Sequence, residues 1–343
     1  MPSIFLSVIV PCYNVQDYLP KCIESLEKQL DPLFDVEFVM VNDGSKDGTL
    51  DLIRRFAERD NRVVIIDQSN QGVCAARNNG LAIARGEYVF FLDGDDWLTE
   101  DASSLMYNFC KDNHPDVVLF SNHEYKEGSA VEKSWYTSTD HISPGYYRTR
   151  DYLNRTTCLP ISFKLYRRAF LNEHHIVFDP NLVVGEVFTF FIHALSTSET
   201  VGVSPSYVMY YLRRQADSAM TTINAERDLT ILNTLHTMNG YAAANCPQMK
   251  EKRAFLITSF WLVTAFALIK YVGKTPFRKE IGALLTQVKK DQEYRALLKY
   301  FTGKGFSCSK YTALALCIRL APPKVAYGII RAYYLWATRN IEK

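Results

Sequence analysis

The feature of the sequence that most constrains its fold is an alternation of short apolar runs and helical stretches over the first 120 residues. Five runs of four to six residues are apolar on both faces, and segments between them space their apolar residues as amphipathic helices do. This pattern is typical of an α/β fold with a mostly parallel sheet and helices on both of its faces. The predicted strands are Phe5–Val10, Phe38–Val41, Val63–Ile66, Tyr88–Leu92 and Val117–Phe120, and the predicted helices are Asp17–Lys28, Asp47–Arg59 and Val73–Ala84.

Polar residues follow four of these strands at the point where each strand ends. Ligands of a parallel sheet bind beyond the carboxyl ends of its strands, so we expect these residues to lie at one site. They are suited to a nucleotide, and folding alone does not require them at four strand ends. The four stretches are Tyr13-Asn14, Asp43-Gly44-Ser45, Asp67-Gln68 and Asp93-Gly94-Asp95-Asp96.

The last of these stretches places three carboxylates within four residues, directly after a buried strand. Unpaired carboxylates this close repel one another unless a cation neutralises them. Proteins bind Mg²⁺ or Mn²⁺ through one or two such carboxylates together with the phosphates of a substrate. The stretch therefore predicts a site for a divalent cation and a diphosphate. The alternative is an acidic turn that caps the helix near Glu100, but a cap needs only one acid.

Two further residues each allow two roles. Asp43 precedes Gly44, which permits a tight turn, and its carboxylate could accept the imide N–H of a uracil or form an Asx turn. Arg77 follows the third predicted strand on a helix, where it could bind a diphosphate or hold the acidic cluster in place.

Several other classes of protein are disfavoured. Gly273-Lys274-Thr275 is similar to the end of a P-loop, but position 268 is leucine and Pro276 follows. No Gly-x-Gly-x-x-Gly follows a predicted strand, which disfavours a dinucleotide-dependent oxidoreductase.

The eight cysteines are scattered without a Cys-x-x-Cys pair, which indicates reduced thiols in a cytosolic setting. The first residues lack a basic stretch, so we expect no signal peptide.

Charge is distributed unevenly along the chain. Residues 241–343 contain 18 Lys and Arg against five Asp and Glu, whereas the rest contains 21 against 32. The cations of this basic part lie among long aliphatic and aromatic stretches, which favours an anionic membrane surface over nucleic acid as its partner.

Residues 255–272 form a mostly apolar run that we interpret as a buried core helix. Membrane insertion is the alternative, because the length of this run is close to the ~20 residues that a spanning helix needs. Residues 311–339 are interpreted as an interfacial helix pair broken at Pro322-Pro323.

Four motifs carry a specific resemblance to a known family. In order along the chain, they are Ser7–Asn14, Val41–Thr49, Gln71–Gly80 and Leu92–Trp97. With these motifs in the family's order and spacing, the sequence resembles a family 2 glycosyltransferase with the GT-A fold, of the kind found in bacterial capsule and exopolysaccharide clusters. Looser similarity continues to about Thr222, through Lys164–Arg167 and Arg214–Ser218.

The resemblance implies a GT-A catalytic domain at residues 1–222 and a basic helical region at residues 223–343. It implies that a hexose or N-acetylhexosamine moves, with inversion, from a nucleoside diphosphate, expected to be a UDP-sugar, to a hydroxyl. The acceptor would be a glycan or lipid-linked glycan in surface polysaccharide synthesis. The basic region would then dock the protein on the cytoplasmic face of the cell membrane, without contact to nucleic acid.

The resemblance also assigns site residues. Asp93 and Asp95 would form the D-x-D motif that binds Mn²⁺ or Mg²⁺, with Asp95 as the direct ligand. Asp96 would support that ligand or contact the sugar, and it is a catalytic candidate together with Glu186. The residues expected to bind the nucleotide-sugar are Pro11, Tyr13, Asn14, Asp43, Gly44, Arg77, Asp93 and Gly94.

The general base is where this chain departs from the family. In the family, the base comes from a Glu-Asp pair that opens a helix, but here Val187 follows Glu186. Successive helical residues differ by about 100° in direction, so Glu186 cannot replace the aspartate without a local shift. Either Glu186 is the base, which we expect, or Asp179 or Asp217 substitutes. In the third alternative, the protein is a catalytically weak sugar-nucleotide-binding subunit beside an active partner.

A nucleotidyltransferase also uses clustered aspartates on an α/β sheet. It usually requires a phosphate loop rich in Gly, Arg or Lys after its first strand. The residues after the first predicted strand, Pro11-Cys12-Tyr13-Asn14, do not form such a loop. We therefore expect a transferase of sugars.

Overall fold

The structure, a computed structural model, divides into two compact units, one formed by residues 1–180 and 190–214 and the other by residues 181–189 and 215–343. It describes residues 4–127, 132–135, 142–156, 159, 164–214, 224–251, 255–256, 258–259, 279–302 and 318–329.

The first unit is built on a ten-stranded sheet with the main order β3-β2-β1-β4-β9-β6-β10-β5, while β7 pairs with β6 and β8 with β10. The strands β1 to β4 are parallel neighbours, as are β6 and β10. The ten strands are β1 Ile4–Cys12, β2 Asp35–Asp43, β3 Val63–Gln68, β4 Tyr88–Phe91, β5 Trp97–Leu98, β6 Val117–Lys126, β7 Glu132–Trp135, β8 Gly145–Arg148, β9 Lys164–Arg167 and β10 Thr200–Arg213.

Seven helices accompany the strands in the described part of the chain up to residue 214. The first three confirm the predicted helices with ends that differ by no more than two residues, and the first four strands confirm the predicted strands. The helices are α1 Leu19–Glu27, α2 Thr49–Arg59, α3 Val73–Ile83, α4 Ala102–Cys110, α5 Thr149–Arg155, α6 Arg168–Glu173 and α7 Glu186–Thr197. Residues 186–189 at the start of α7 are grouped with the second unit.

The core of the first unit fixes the strands that support the site. Strands β1 and β2 are buried along almost their whole length, and their register pairs Val8 with Phe38 and Val10 with Met40. Apolar side chains from these strands and from α1 and α4 form one cluster. Burial of each such side chain stabilises the fold by roughly 1.5–3 kcal/mol. The core therefore brings the carboxyl ends of β1, β2 and β4 to one edge of the sheet.

The half of the sheet beyond β4 differs from the predicted parallel order. The fifth predicted strand exists as part of β6, but β9 lies between β4 and β6 and runs antiparallel to both. The segment between β6 and β8 contributes β7, which pairs antiparallel with β6. These short strands were missed because four residues give too little periodicity to distinguish a strand from a loop.

The second unit is helical in the part that the structure describes. Its elements are α8 Ala225–Leu229, α9 Ile231–Asn245, a 3₁₀ helix at Pro247–Glu251, α10 Lys279–Lys290, α11 Gln292–Thr302 and helical residues at 318–320 and 323–329. This confirms the predicted helical C-terminal region. Among the residues described, none of the helices has both the length and the apolar character that crossing a bilayer requires.

Three predictions about this part of the chain stay predictions. The domain boundary at 222 and most of the segment 255–272 lie outside the described residues, as does most of 311–339. The prediction of reduced thiols agrees with the described cysteines that are free, which are Cys12, Cys22, Cys74, Cys110 and Cys246.

Candidate active site

Three carboxylates converge in the loop after β4. Asp93, Asp95 and Asp96 each offer one oxygen, and these oxygens all lie within 4.8 Å of one another. The loop is folded by a backbone hydrogen bond of 2.9 Å from the N–H of Asp96 to the carbonyl of Asp93. Gly94 is pressed against the end of β1, because a Cβ there would lie 3.3 Å from Cys12 Sγ. The local turn therefore brings the three acids together, as the sequence predicts.

Each carboxylate has a different partner. Arg77 donates to Asp93 at 2.7 Å, and Arg214 forms an ion pair with Asp95 at 2.6 Å. The backbone N–H of Leu212 donates to Oδ1 of Asp96 at 2.8 Å. The other oxygen of Asp96, Oδ2, is buried and accepts no hydrogen bond within the part of the chain that the structure describes. A buried oxygen without a donor is costly, and this atom is therefore available to a cation or a ligand group.

Burial also makes the negative charge of this cluster costly. Burial, followed by the charges of Asp95 and Asp93, raises the pKa of Asp96 well above its usual range. Burial and Asp93 raise the pKa of Asp95, and Arg214 opposes that shift. Clustered carboxylate oxygens whose negative charge is only partly compensated are the ligands that Mg²⁺ and Mn²⁺ prefer. The residues present therefore fit a divalent cation.

Arg77 is held rigidly beside the cluster. Its side chain is 4% exposed, and the centre of its guanidinium group lies 5.2 Å from the centroid of the Phe178 ring. Phe178 is fixed by Asn78, whose amide group both donates to and accepts from the Phe178 backbone at 2.8 Å. Of the two roles predicted for Arg77, the structure shows the one in which it holds the acidic cluster. A contact to diphosphate stays a prediction.

The loop after β1 forms a second side of the site. Pro11 is buried within β1, whereas Tyr13 is 46% exposed. Asn14 has a left-handed backbone, with a φ of 51°, and its N–H donates to Ser45 Oγ at 3.1 Å. The side-chain oxygen of Asn14 accepts from the N–H of Lys46 at 2.8 Å. These bonds join the loops after β1 and β2, so the residues predicted to bind the nucleotide lie at one edge of the sheet.

Asp43 is a buried anchor at the end of β2. Its Oδ1 accepts from Gln68 Nε2 and from the N–H of Gln71, each at 2.8 Å, and its Oδ2 accepts from the N–H of Gly72 at 2.9 Å. An ionised carboxylate offers about four acceptor positions, so one remains for an imide N–H. The carboxylate connects to the loop after β3, so these bonds do not form the predicted Asx turn.

Gly44 follows Asp43 in a position that only glycine fits. Its φ is +70°, and a Cβ would lie 2.6 Å from the backbone nitrogen of Asn70. The chain therefore passes close to the loop after β3 at the base of the predicted nucleotide pocket.

The candidate bases are distributed between the two units. Glu186 is the first residue of α7 and belongs to the second unit, while Val187 beside it is 38% exposed. Asp179 belongs to the first unit and directly follows Phe178, and Asp217 lies outside the described residues. The predicted residues of the first unit are thus brought together, and the assignment of the base stays a prediction.

Two residues of the site, Leu212 and Arg214, were missed by the sequence analysis. The N–H of Leu212 and the guanidinium group of Arg214 reach the acidic loop from the end of β10. Arg214 also lies over the ring of Tyr18, with 4.1 Å between its guanidinium centre and the ring centroid. A backbone donor leaves no signal in a sequence. Arg214 lies in the looser part of the family similarity, and nothing in the spacing connects it with Asp95.

Comparison with known proteins finds similarity to one family in the first part of the chain. The family model for glycosyl transferase family 2 matches residues 7–174. A poly(ribitol-phosphate) beta-glucosyltransferase of Bacillus spizizenii is 30% identical over 219 residues, which are 63% of this chain and 33% of that protein. The glycosyltransferase GlyG of Streptococcus pneumoniae is 29% identical over 231 residues, 64% of this chain and 74% of that protein. The chain thus spans about a third of the Bacillus protein.

Solved structures share the fold. Staphylococcus aureus TarS 1–349 in complex with UDP-GlcNAc has a TM-score of 0.70 at 20% identity, covering 97% of this chain and 92% of that chain. The mannosyltransferase PcManGT from Pyrobaculum calidifontis, in complex with GDP-Man and Mn²⁺, has a TM-score of 0.52 at 18% identity, covering 98% and 90%. These likenesses confirm the GT-A fold class predicted from the sequence.

Proposed function

We propose that this chain, whose residues 7–174 match the model of glycosyl transferase family 2, is an inverting, metal-dependent transferase of a sugar from a UDP-sugar to a hydroxyl. The acceptor is a glycan or a lipid-linked glycan in surface polysaccharide synthesis. The observation that carries this proposal is the convergence of Asp93, Asp95 and Asp96 within 4.8 Å at the end of β4. This cluster lies inside the matched domain and at the sheet edge where an α/β fold binds its ligands.

Asp95 and Asp93 would hold Mn²⁺ or Mg²⁺, since their carboxylate oxygens lie within 4.8 Å of each other. When bound, the cation stabilises the charge that develops on the departing diphosphate. Asp96 supports this site from a buried position, where Leu212 fixes one of its oxygens. Arg77 keeps the carboxylate of Asp93 in place and contributes a positive charge beside the phosphates.

The nucleotide would occupy the edge formed by the loops after β1 and β2. Tyr13 is exposed there and offers a ring on which a base can stack. Asp43 has one acceptor position left for the imide N–H of uracil, which supports a UDP-sugar as donor. Pro11, Asn14, Gly44 and Gly94 shape the pocket through their backbones.

Glu186 is the proposed general base. The acceptor oxygen forms a bond to the anomeric carbon while the bond from that carbon to the diphosphate oxygen breaks, and UDP leaves with the electron pair. The proton of the acceptor hydroxyl goes to the carboxylate of Glu186. A negative charge is favourable in the first turn of a helix, and Glu186 is the first residue of α7.

The second unit is proposed to contact an anionic membrane surface. Leu320, Val325 and Ile329 are 71%, 51% and 48% exposed, and Arg319 and Lys324 are exposed beside them in the chain. Apolar side chains among cations suit the boundary between headgroups and acyl chains. Sedimentation with anionic vesicles should therefore exceed sedimentation with zwitterionic vesicles. Substitution of Arg319 and Lys324 by glutamate should abolish the difference, and unchanged sedimentation would contradict the contact.

Nucleotide release from a panel of UDP-, GDP- and dTDP-sugars, with Mn²⁺ or Mg²⁺, tests the catalytic proposal. We expect metal-dependent release from one donor, abolished by Asp95→Ala. Asp101→Ala is the matched control, because this exposed acid makes no side-chain hydrogen bond to the helix that it precedes. Metal-dependent UDP binding without turnover would instead support the binding-subunit alternative, which Val187 favours. The absence of both UDP binding and nucleotide release would contradict both functions.

A further inference from the structure

The turn that presents Glu186 is docked on helix α9 of the same unit. Thr234, a fully buried residue of α9, donates its hydroxyl to the backbone carbonyl of Val184. A helical threonine commonly bonds the carbonyl three or four residues earlier in its own helix. Here the hydroxyl is used on a segment 50 residues away. This bond fixes the second carbonyl before the proposed base.

The residue between Val184 and Glu186 is fixed by the same threonine. Gly185 has a φ of +78°, and a Cβ at this position would lie 2.8 Å from Cγ2 of Thr234. Its carbonyl accepts from the N–H and from the hydroxyl of Thr189, at 2.9 and 3.1 Å, and so begins helix α7. The hydroxyl of Thr234 therefore fixes the turn from which α7 starts, and its methyl group lies against Gly185.

We propose that Thr234 is a positioning residue for the general base, an inference that rests on the role proposed for Glu186. Glu186 directly follows the docked turn, so the position of its backbone depends on that of Gly185. Since Val187 stands where the family has its aspartate, Glu186 needs a local shift to serve as base, and the bond from Thr234 supports the turn in which that shift would occur. Helix α9 thus contributes to catalysis without touching the substrate.

Two substitutions separate the contributions of Thr234. Thr234→Val keeps the shape of the side chain and removes the donor, whereas Thr234→Ser keeps the donor and removes the methyl group. Thr237→Val is the matched control, because this half-buried threonine lies one turn further along α9. The assay is metal-dependent hydrolysis of the donor identified above, in which water takes the place of the acceptor hydroxyl.

We expect Thr234→Val to lower kcat by about tenfold to a hundredfold, the range for a misplaced catalytic group, with the donor KM unchanged. Thr234→Ser should stay within about twofold of wild type, and Thr237→Val should match wild type. In a double-mutant cycle, Thr234→Val should add no further loss to Glu186→Gln, because both changes remove the same contribution.

The possible results separate this inference from the proposed function. A wild-type kcat in Thr234→Val, or losses that multiply with those of Glu186→Gln, would overturn the inference. An unaffected Glu186→Gln variant would also overturn it, while metal-dependent hydrolysis by wild type would still support a transferase. Release of no nucleotide from any donor would remove the proposed function itself.

Discussion

The guanidinium group of Arg214 forms an ion pair with the carboxylate of Asp95, with 2.6 Å between Nη2 and Oδ2. The two side chains are 17% and 24% exposed, so the pair is only partly shielded from water. The guanidinium group also lies over the ring of Tyr18, with 4.1 Å between its centre and the ring centroid. This arrangement couples the end of β10 to the loop that is proposed to bind a metal.

The pair predicts how the metal affects stability. Arg214→Gln leaves Asp95 without its counterion and should lower the free energy of unfolding by about 1–3 kcal/mol in EDTA, since the pair is only partly buried. A divalent cation at Asp95 would replace the missing charge. We therefore expect Mn²⁺ to raise the melting temperature of Arg214→Gln by more than it raises that of wild type. Equal increments in the two proteins, measured by thermal unfolding with and without Mn²⁺, would contradict this coupling.

The first half of the sheet could be predicted because its strands are buried on both faces. Runs such as Phe38–Val41 have no polar position, which distinguishes them from amphipathic helices, and turn residues mark their ends. The acidic loop could be predicted for the same reason, since the carboxyl end of a parallel strand fixes where Asp93 and Asp95 must lie. Local sequence was sufficient wherever one strand determined the position.

The rest of the site depends on distant segments. Leu212 contributes only a backbone N–H to Asp96, and every residue except proline has that group. Thr234 lies in a helix whose sequence gives no indication that its hydroxyl donates to a carbonyl outside the helix. Strand β9 has four residues, so its insertion between β4 and β6 depends on tertiary pairing rather than on its own pattern. These features follow from the assembled fold and were therefore missed.

We expect the buried acid Asp96 to support metal binding at a cost in the stability of the metal-free protein. In the metal-free protein, Asp96→Asn should raise the free energy of unfolding at pH 7 by about 1–3 kcal/mol, because the neutral amide avoids the cost of keeping a buried acid protonated while its oxygen still accepts from Leu212. The same change should weaken metal binding. A less stable variant in EDTA would contradict this interpretation of the cluster.

The pH dependence gives the sign of that effect. The pKa of Asp96 is raised in the folded protein, so the folded state holds a proton that the unfolded state has released. Wild type should therefore lose stability relative to Asp96→Asn as the pH rises from the ordinary value of 3.8 toward the folded pKa. Urea unfolding of both proteins in EDTA at several pH values measures this difference.

Asp43 predicts a link between the nucleotide pocket and the loop after β3. Asp43→Asn keeps the size of the side chain but places an NH₂ group where the carboxylate now accepts from Gln71 or Gly72. One buried donor would then face another donor, at a cost of about 1–3 kcal/mol in the free energy of unfolding. UDP affinity should fall in the same variant, measured by calorimetry. Reduced stability with wild-type UDP affinity would show that Asp43 only supports the loop.

Lys164 predicts a pH dependence that is independent of the metal site. Its side chain lies in the sheet with the ammonium nitrogen 4.1 Å from the centroid of the Phe191 ring, and burial lowers its pKa from 10.5 to about 7. Between these values the unfolded chain binds a proton that the folded protein does not, so stability should rise with pH.

We expect the difference in free energy of unfolding between wild type and Lys164→Met to change by about 2 kcal/mol from pH 7 to pH 9, in favour of wild type. Subtracting the variant removes the contributions of tyrosines and cysteines that titrate in the same range. Urea unfolding at pH 6, 7.5 and 9 measures the two curves. Parallel curves would mean that the amine of Lys164 stays charged in the folded protein, with its positive charge accommodated beside the face of Phe191.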